Sequence, residues 1–201
     1  ATISPAVASV SGVTVDNKPY DGTLTASASY TGLQLTGILT GETVTPVTTG
    51  ASASFADKAV ASGKAVTLTG ITLTGTQAAN YTLSLPTLSA DITPKPITVT
   101  GITVANRVYD TTALLAPSFT GATLVGVITG DTVALESSGS VAAMADGLVG
   151  LNKSVTFTGI GLSGAEARNY SLTQPTTTAT ITAQVVTVTG VTDSNKIYNG
   201  N

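Results

Sequence analysis

The chain has 201 residues, with 8 Lys plus Arg against 11 Asp plus Glu, a net charge of −3, and no His, Cys or Trp. These absences exclude a histidine general base, a Ser-His-Asp triad, an imidazole metal ligand, a thiolate nucleophile, a zinc–thiolate site and a disulfide framework. So few basic residues give phosphate-backbone binding no electrostatic footing, and no nucleic-acid partner is expected.

Charged residues make up 9% of the chain and hydrophobic residues 42%. A core can therefore form, but the water-facing side must be covered mainly by hydroxyls. The absence of Cys suits an exported protein that relies on packing alone, and equally a cytosolic one. The first residues, ATISPAVASV, carry no positively charged leader, and the chain reads as a piece of a longer protein.

In chain order, the first predicted strand changes parity at Gly12. The cassette NKPYDG (17–22) follows, with Tyr20 at a strand end and Asp21-Gly22 as a turn. Next come Tyr30, the turn TGETV (40–44) and the strand KAVTLTGITLTG (64–75), which changes parity at Gly70. ANYTLSLP (79–86) carries Tyr81, and the junction ITPKP (92–96) carries Pro94 and Pro96, which disfavour helix. In ITVTGITV (97–104), Ile97 and Val99 share one face, while Ile102 and Val104 have the opposite parity. Such a flip at glycine predicts a bulge or sharp bend that keeps apolar residues facing inward. It recurs at Gly159 and Gly190. The uncharged run 111–130 is long enough to span a bilayer, but its Pro117 and glycines read as strands and turns, so no membrane insertion is expected. SGAEARNY (163–170) is the one stretch with room for a helical turn.

These elements repeat. Sliding the chain by 89 residues aligns it with itself without a gap, and roughly two-fifths of the aligned positions are identical. Tyr20, Tyr109 and Tyr198 form one series and Tyr81 and Tyr170 another; Tyr30 aligns with Phe119. The expected domains are repeat 1 over 1–93, repeat 2 over 94–182, and the first strand and turn of a truncated third repeat over 183–201. The predicted fold is all-β: tandem Ig-like β-sandwich repeats of 89 residues joined by a short Pro-containing linker. A-x-N-Y-x-L, at Ala78–Leu83 and Ala167–Leu172, resembles the corner tyrosine of immunoglobulin-like domains, which bonds back to backbone. Residues 184–201 are expected to complete the sheet of repeat 2 or to pair with a neighbour.

With these motifs assembled, the chain resembles the YDG repeats of large bacterial surface and secreted adhesins, including filamentous-haemagglutinin-like exoproteins. The resemblance rests on Tyr20-Asp21-Gly22, the TGET/TGDT turn, VTLTGITLTG and ANYTL. It implies export by Gram-negative bacteria, tandem display at the cell surface or in the biofilm matrix, and work in adhesion. Repeat 2 has Thr111 in place of Gly and the third cassette has Asn199 in place of Asp, so neither position is expected to require its residue strictly.

The candidate residues read as architecture. Tyr20, Tyr109, Tyr198, Tyr81, Tyr170, Asn80 and Asn169 are expected to be structural repeat residues. Asn80-Tyr81-Thr82 and Asn169-Tyr170-Ser171 also match the glycosylation sequon. The recurring acids Asp21/Asp110, Asp57/Asp146 and Glu42/Asp131 invite a calcium hypothesis, with Asp21, Asp57, Asp110 and Asp146 as weak candidates, but no D-x-D-x-D loop is present. Lys64/Lys153 with Asn80/Asn169 form a candidate Lys–Asn cross-link. No catalytic residue, cofactor or enzyme activity is expected. The partners expected are neighbouring repeats of the same chain and, through a Tyr30/Phe119 platform, a glycan or matrix polysaccharide. Val/Thr-rich strands with few guarding charges leave self-association through sheet edges open.

Overall fold

A computed structural model describes residues 2–200. Those residues form 24 strands and two short 3₁₀ turns, with no α-helix among them. The 3₁₀ turns lie at Ala78–Asn80 and Ala167–Asn169, so the single turn expected in the second repeat has a counterpart in the first. Each repeat is built around the same curled, barrel-like five-stranded sheet.

In the first repeat that sheet runs Lys18–Pro19, Leu88–Thr93, Ala61–Thr69, Ser52–Phe55, Thr25–Ala26. The two-residue alternation of a strand explains which side chains face inward. Val66 and Leu68 are buried along Ala61–Thr69 while Ala65, Thr67 and Thr69 are exposed. Across the sheet, Ala53 faces Leu68 and Phe55 faces Val66. Fully burying a side chain of this size contributes about 1.5–3 kcal/mol. The second repeat repeats the order with Arg107–Val108, Thr176–Thr182, Gly150–Thr158, Val141–Met144 and Leu114–Leu115. There Met144 replaces Phe55 and Phe157 replaces Leu68, and both are buried.

Three-stranded sheets accompany the five-stranded ones. In the first repeat Ala6–Ser11 lies between Tyr81–Ser84, to which it is parallel, and Gln34–Thr36, to which it is antiparallel. Lys95–Thr100 holds the corresponding place in the second repeat, parallel to Tyr170–Leu172.

The parity changes at Gly12, Gly70, Gly101 and Gly159 mark passages between sheets. After Gly12 the chain leaves the three-stranded sheet for Thr14–Val15, which pairs with Ala28–Ser29, and then enters the five-stranded sheet at Lys18. Gly12, Gly70, Gly101, Gly159 and Gly190 all have left-handed backbone, with φ of 75°, 76°, 82°, 73° and 77°. At Gly70 and Gly101 a Cβ would also fall on the carbonyl oxygens of Gly50 and Gly121, so any other residue is excluded by sterics as well as by φ.

By packing, the chain divides into two compact units that cut across the repeat pattern. One comprises Ala1–Thr98, Leu124–Leu135 and Leu162–Thr173; the other comprises Val99–Thr123, Glu136–Gly161 and Gln174–Asn201. The core of the first unit joins Val10, Phe55, Leu68 and Ile92 from the first repeat to Ile97 and Tyr170 from the second. The second unit buries Ala142, Met144, Val155, Phe157, Ile160, Ala179 and Ile181.

Two expectations change in detail. The Pro-containing linker reduces to Pro94 alone, because Leu88–Thr93 ends one residue before Lys95–Thr100 begins. Residues 183–200 are exposed and carry no strand, so they complete no sheet. The equivalent strands, Ala6–Ser11 and Lys95–Thr100, are each bracketed by strands from later in their own repeat, at 34–36 and 81–84 or 123–125 and 170–172.

Candidate functional site: a tyrosine–aspartate staple

The cassette builds a turn that is bonded throughout. Asn17 Oδ1 accepts the Asp91 N–H at 2.7 Å. Lys18–Pro19 pairs in parallel with Ile92–Thr93, and the Tyr20 N–H donates to the Thr93 carbonyl at 2.8 Å. Asp21 Oδ1 accepts the Thr23 N–H and hydroxyl, both at 2.9 Å, and Lys18 Nζ at 2.8 Å. Burial alone would raise the Asp21 pKa, but the bonds from Lys18 and Thr23 outweigh it and hold it below the usual carboxylate value. Lys18 also donates to the Thr23 carbonyl at 2.9 Å and lies 5.5 Å from the Phe55 ring centroid. Gly22, at φ 77°, closes the turn.

This turn delivers Tyr20 to the centre of the first unit, where 2% of its surface is exposed. Its hydroxyl donates to Asp131 Oδ2 at 2.8 Å. The Tyr170 hydroxyl donates to the same oxygen at 2.6 Å and accepts the Ile128 N–H at 3.0 Å. The two rings meet edge to face, 5.5 Å apart and inclined by 77°, a favourable arrangement of their quadrupoles. Lys58 Nζ lies 3.4 Å from Asp131 Oδ1 and 6.0 Å from the Tyr20 ring centroid. Beside them, Asn169 is buried, and its Oδ1 accepts the Val60 N–H at 3.0 Å. Tyr20, Lys58 and Val60 come from the first repeat; Asp131, Asn169 and Tyr170 come from the second.

The electrostatics suit holding rather than reacting. The Asp131 side chain is 3% exposed. Burial would raise its pKa, but donation from Tyr170, Tyr20 and Lys58 outweighs that, and the net shift is downward. Tyr170 is pushed up to about 12, first by burial and then by its bond to Asp131. Tyr20 is raised for the same two reasons, in the same order. A phenol held neutral and an aspartate already accepting three donors make a poor acid–base pair near neutral pH.

The structure places the other candidates as follows. The Tyr81 hydroxyl donates to Glu42 Oε2 at 2.5 Å and accepts the Leu39 N–H at 2.9 Å, so both corner tyrosines bond back to backbone about forty residues upstream. Tyr109 is half-buried; its N–H donates to the Thr182 carbonyl at 2.8 Å, and its hydroxyl has no hydrogen-bond partner among the described residues. Tyr198 is 91% exposed, and so is Asn80 in large part. Asp57 Oδ1 accepts the Ala59 N–H at 2.8 Å and Lys64 Nζ at 2.5 Å. Asp146 does the same with the Leu148 N–H and Lys153, and Asp110 binds the Thr112 N–H and Arg107. These carboxylates serve turns and cations, and no group of three acidic residues gathers in metal-holding geometry among the described residues. The proposed Lys–Asn cross-link is not set up: Lys64 and Lys153 face aspartates, while Asn169 faces a backbone amide. Tyr30 packs against the core with its hydroxyl buried and unpartnered.

Sequence reasoning missed Lys18 and Arg107, Asn17 and Asn106, and Lys58. The first two pairs recur at the 89-residue period within N-[KR]-x-Y and were visible as a signal. Lys58 has no counterpart, since Gly147 stands at its place in the second repeat.

A family model described as the YDG domain matches the chain twice in tandem, over residues 4–90 and 93–179. No curated protein and no solved structure matches significantly.

Proposed function

Because this chain belongs to the YDG domain family, we propose that it is a non-catalytic structural segment, a stalk or spacer of a large bacterial surface or biofilm-matrix adhesin. One observation carries the reading. The residues that define the repeat are used on each other: Tyr20 and Tyr170 both bind Asp131, so the shared positions fasten one repeat to the next. In this reading the protein is secreted or held at the surface of a Gram-negative bacterium and its first partners are neighbouring repeats. Each repeat is taken as an Ig-like module, for which the backbone-bonded tyrosines 81 and 170 are the support. The test is to place one, two or four tandem copies between a surface anchor and a distal tag. A spacer gives a tag height that grows by a constant step per copy; a height independent of copy number overturns it.

One observation favours a second reading, a glycan-binding module. Tyr30, whose hydroxyl is buried and unpartnered among the described residues, lines a hollow of about 250 Å³ together with Thr25 and Ser52. An array of glycans and matrix polysaccharides probed with the whole chain separates the two. Silence supports the spacer, and dose-dependent binding lost in Tyr30→Phe supports the module.

A further inference from the structure

The staple uses two complementary surfaces, and the chain carries one further copy of each. The acceptor side, filled by Asp131, Asn169, Tyr170 and Ile128, recurs in the first repeat as Glu42, Asn80, Tyr81 and Leu39. There Glu42 holds the Tyr81 hydroxyl as Asp131 holds that of Tyr170. Among the described residues no second tyrosine reaches it. Instead these four residues, with Ile3 and Ala6, border an open hollow of about 360 Å³. Leu39 is 63% exposed, whereas Ile128 is packed against the core, within 3.3 Å of where a Cβ on Gly22 would lie.

The donor side, filled by Tyr20 and Val60, recurs in the second repeat as Tyr109 and Val149. Tyr109 has no partner for its hydroxyl among the described residues, and Val149 is 55% exposed beside Leu148 at 63%. The Val149 N–H, unlike that of Val60, meets no side-chain acceptor among the described residues.

We propose that the Leu39/Glu42/Asn80/Tyr81 face is a docking site for the tyrosine end of another YDG repeat, supplied by a second copy of this chain through Tyr109 and Val149. The Tyr109 hydroxyl donates to Glu42, its ring packs edge to face on Tyr81, and the Val149 N–H donates to Asn80 Oδ1. Donor and acceptor surfaces differ, so the contact is heterologous, and each copy that docks leaves one donor and one acceptor end for the next; copies add head to tail. Gly147 in place of Lys58 removes the ammonium that the internal staple has, which makes this contact the weaker of the two. The inference rests on the spacer reading, deepening it by naming the partner.

Sedimentation equilibrium of the whole chain up to about 1 mM tests it. The expected result is an average mass that climbs past that of a dimer with concentration. Tyr109→Phe and Leu39→Asp each weaken the association about tenfold or more while leaving the thermal melt intact. Mixing the two variants restores no long oligomers, because each supplies only one good end. A monomer throughout overturns the proposal. So does association unchanged by both end variants but lost when the sheet edges are blunted by Thr36→Lys and Val125→Lys, which assigns it to strand pairing. Neither result touches the spacer reading, which stands or falls on the tag-height series.

Discussion

The two cassettes are near copies with different environments. Tyr20 is buried against Asp131 and Tyr170, with Lys18 fully engaged and Gly22 relaxed at φ 77°. Among the described residues the hydroxyl of half-buried Tyr109 meets no partner, and Arg107 stands in place of lysine with its Nε and Nη2 buried and unpartnered. Thr111 sits at φ 72° in place of glycine. The backbone bond that fixes the tyrosine, 2.8 Å to Thr93 or to Thr182, is the same in both. The turn is therefore a property of the repeat, whereas the worth of its tyrosine is set by what the next repeat brings to it.

The largest test of this contrast is truncation. Tyr20→Ala is expected to cost about 3–5 kcal/mol of unfolding free energy, as for other buried aromatics. Tyr109→Ala should cost about 1–2 kcal/mol. Urea denaturation of both variants measures the difference, and equal losses would break the comparison.

Next in size is Asp131→Asn, expected to cost about 1.5–3 kcal/mol, the range for hydrogen bonds to a charged group. It also changes the pH profile. The folded pKa of Asp131 lies below its ordinary 3.8, so its contribution is present above that value and disappears as pH falls through the folded pKa. Tyr170, raised from 10 to about 12, contributes fully below pH 10 and loses that contribution as pH rises toward 12. In Asp131→Asn the acid limb flattens and the Tyr170 titration, followed at 295 nm, moves down from about 12. A Tyr170 titration that stays put would assign its shift to burial alone.

The smallest effect is a gain. A β-branched residue at positive φ carries about 1–2 kcal/mol of strain, partly offset by the entropy that glycine loses on folding. Thr111→Gly is expected to stabilise by about 1 kcal/mol. Gly22→Thr should cost at least as much, because its Cβ also comes within 3.3 Å of Ile128. Calorimetric melts read both.

What sequence made legible was local or periodic. The 89-residue recurrence, the all-β class and the glycine bends follow from two-residue alternation and from φ > 0 at a single residue. The parallel pairings did not: Ala6 meets Tyr81 and Lys18 meets Ile92 over some 75 residues of intervening chain, which alternation cannot rank. Nor did the staple. Tyr20 and Asp131 are 111 residues apart, and their meeting depends on how a turn of one repeat packs on a strand end of the other. Thr111 shows that the turn does not strictly require glycine, but the backbone keeps the left-handed conformation there and the threonine is strained within it, a cost that the sequence did not display.

The parallel pairs at the edges of each repeat bear on how the chain resists tension. Ala6–Ser11 runs alongside Tyr81–Ser84, and Lys18–Pro19 alongside Leu88–Thr93. A pull on the two ends of such a repeat tries to slide these strands past one another, so every rung of the ladder bears force at once instead of opening in sequence like a zipper. With Pro94 alone between Thr93 and Lys95, there is no slack to absorb the stretch before that shear begins.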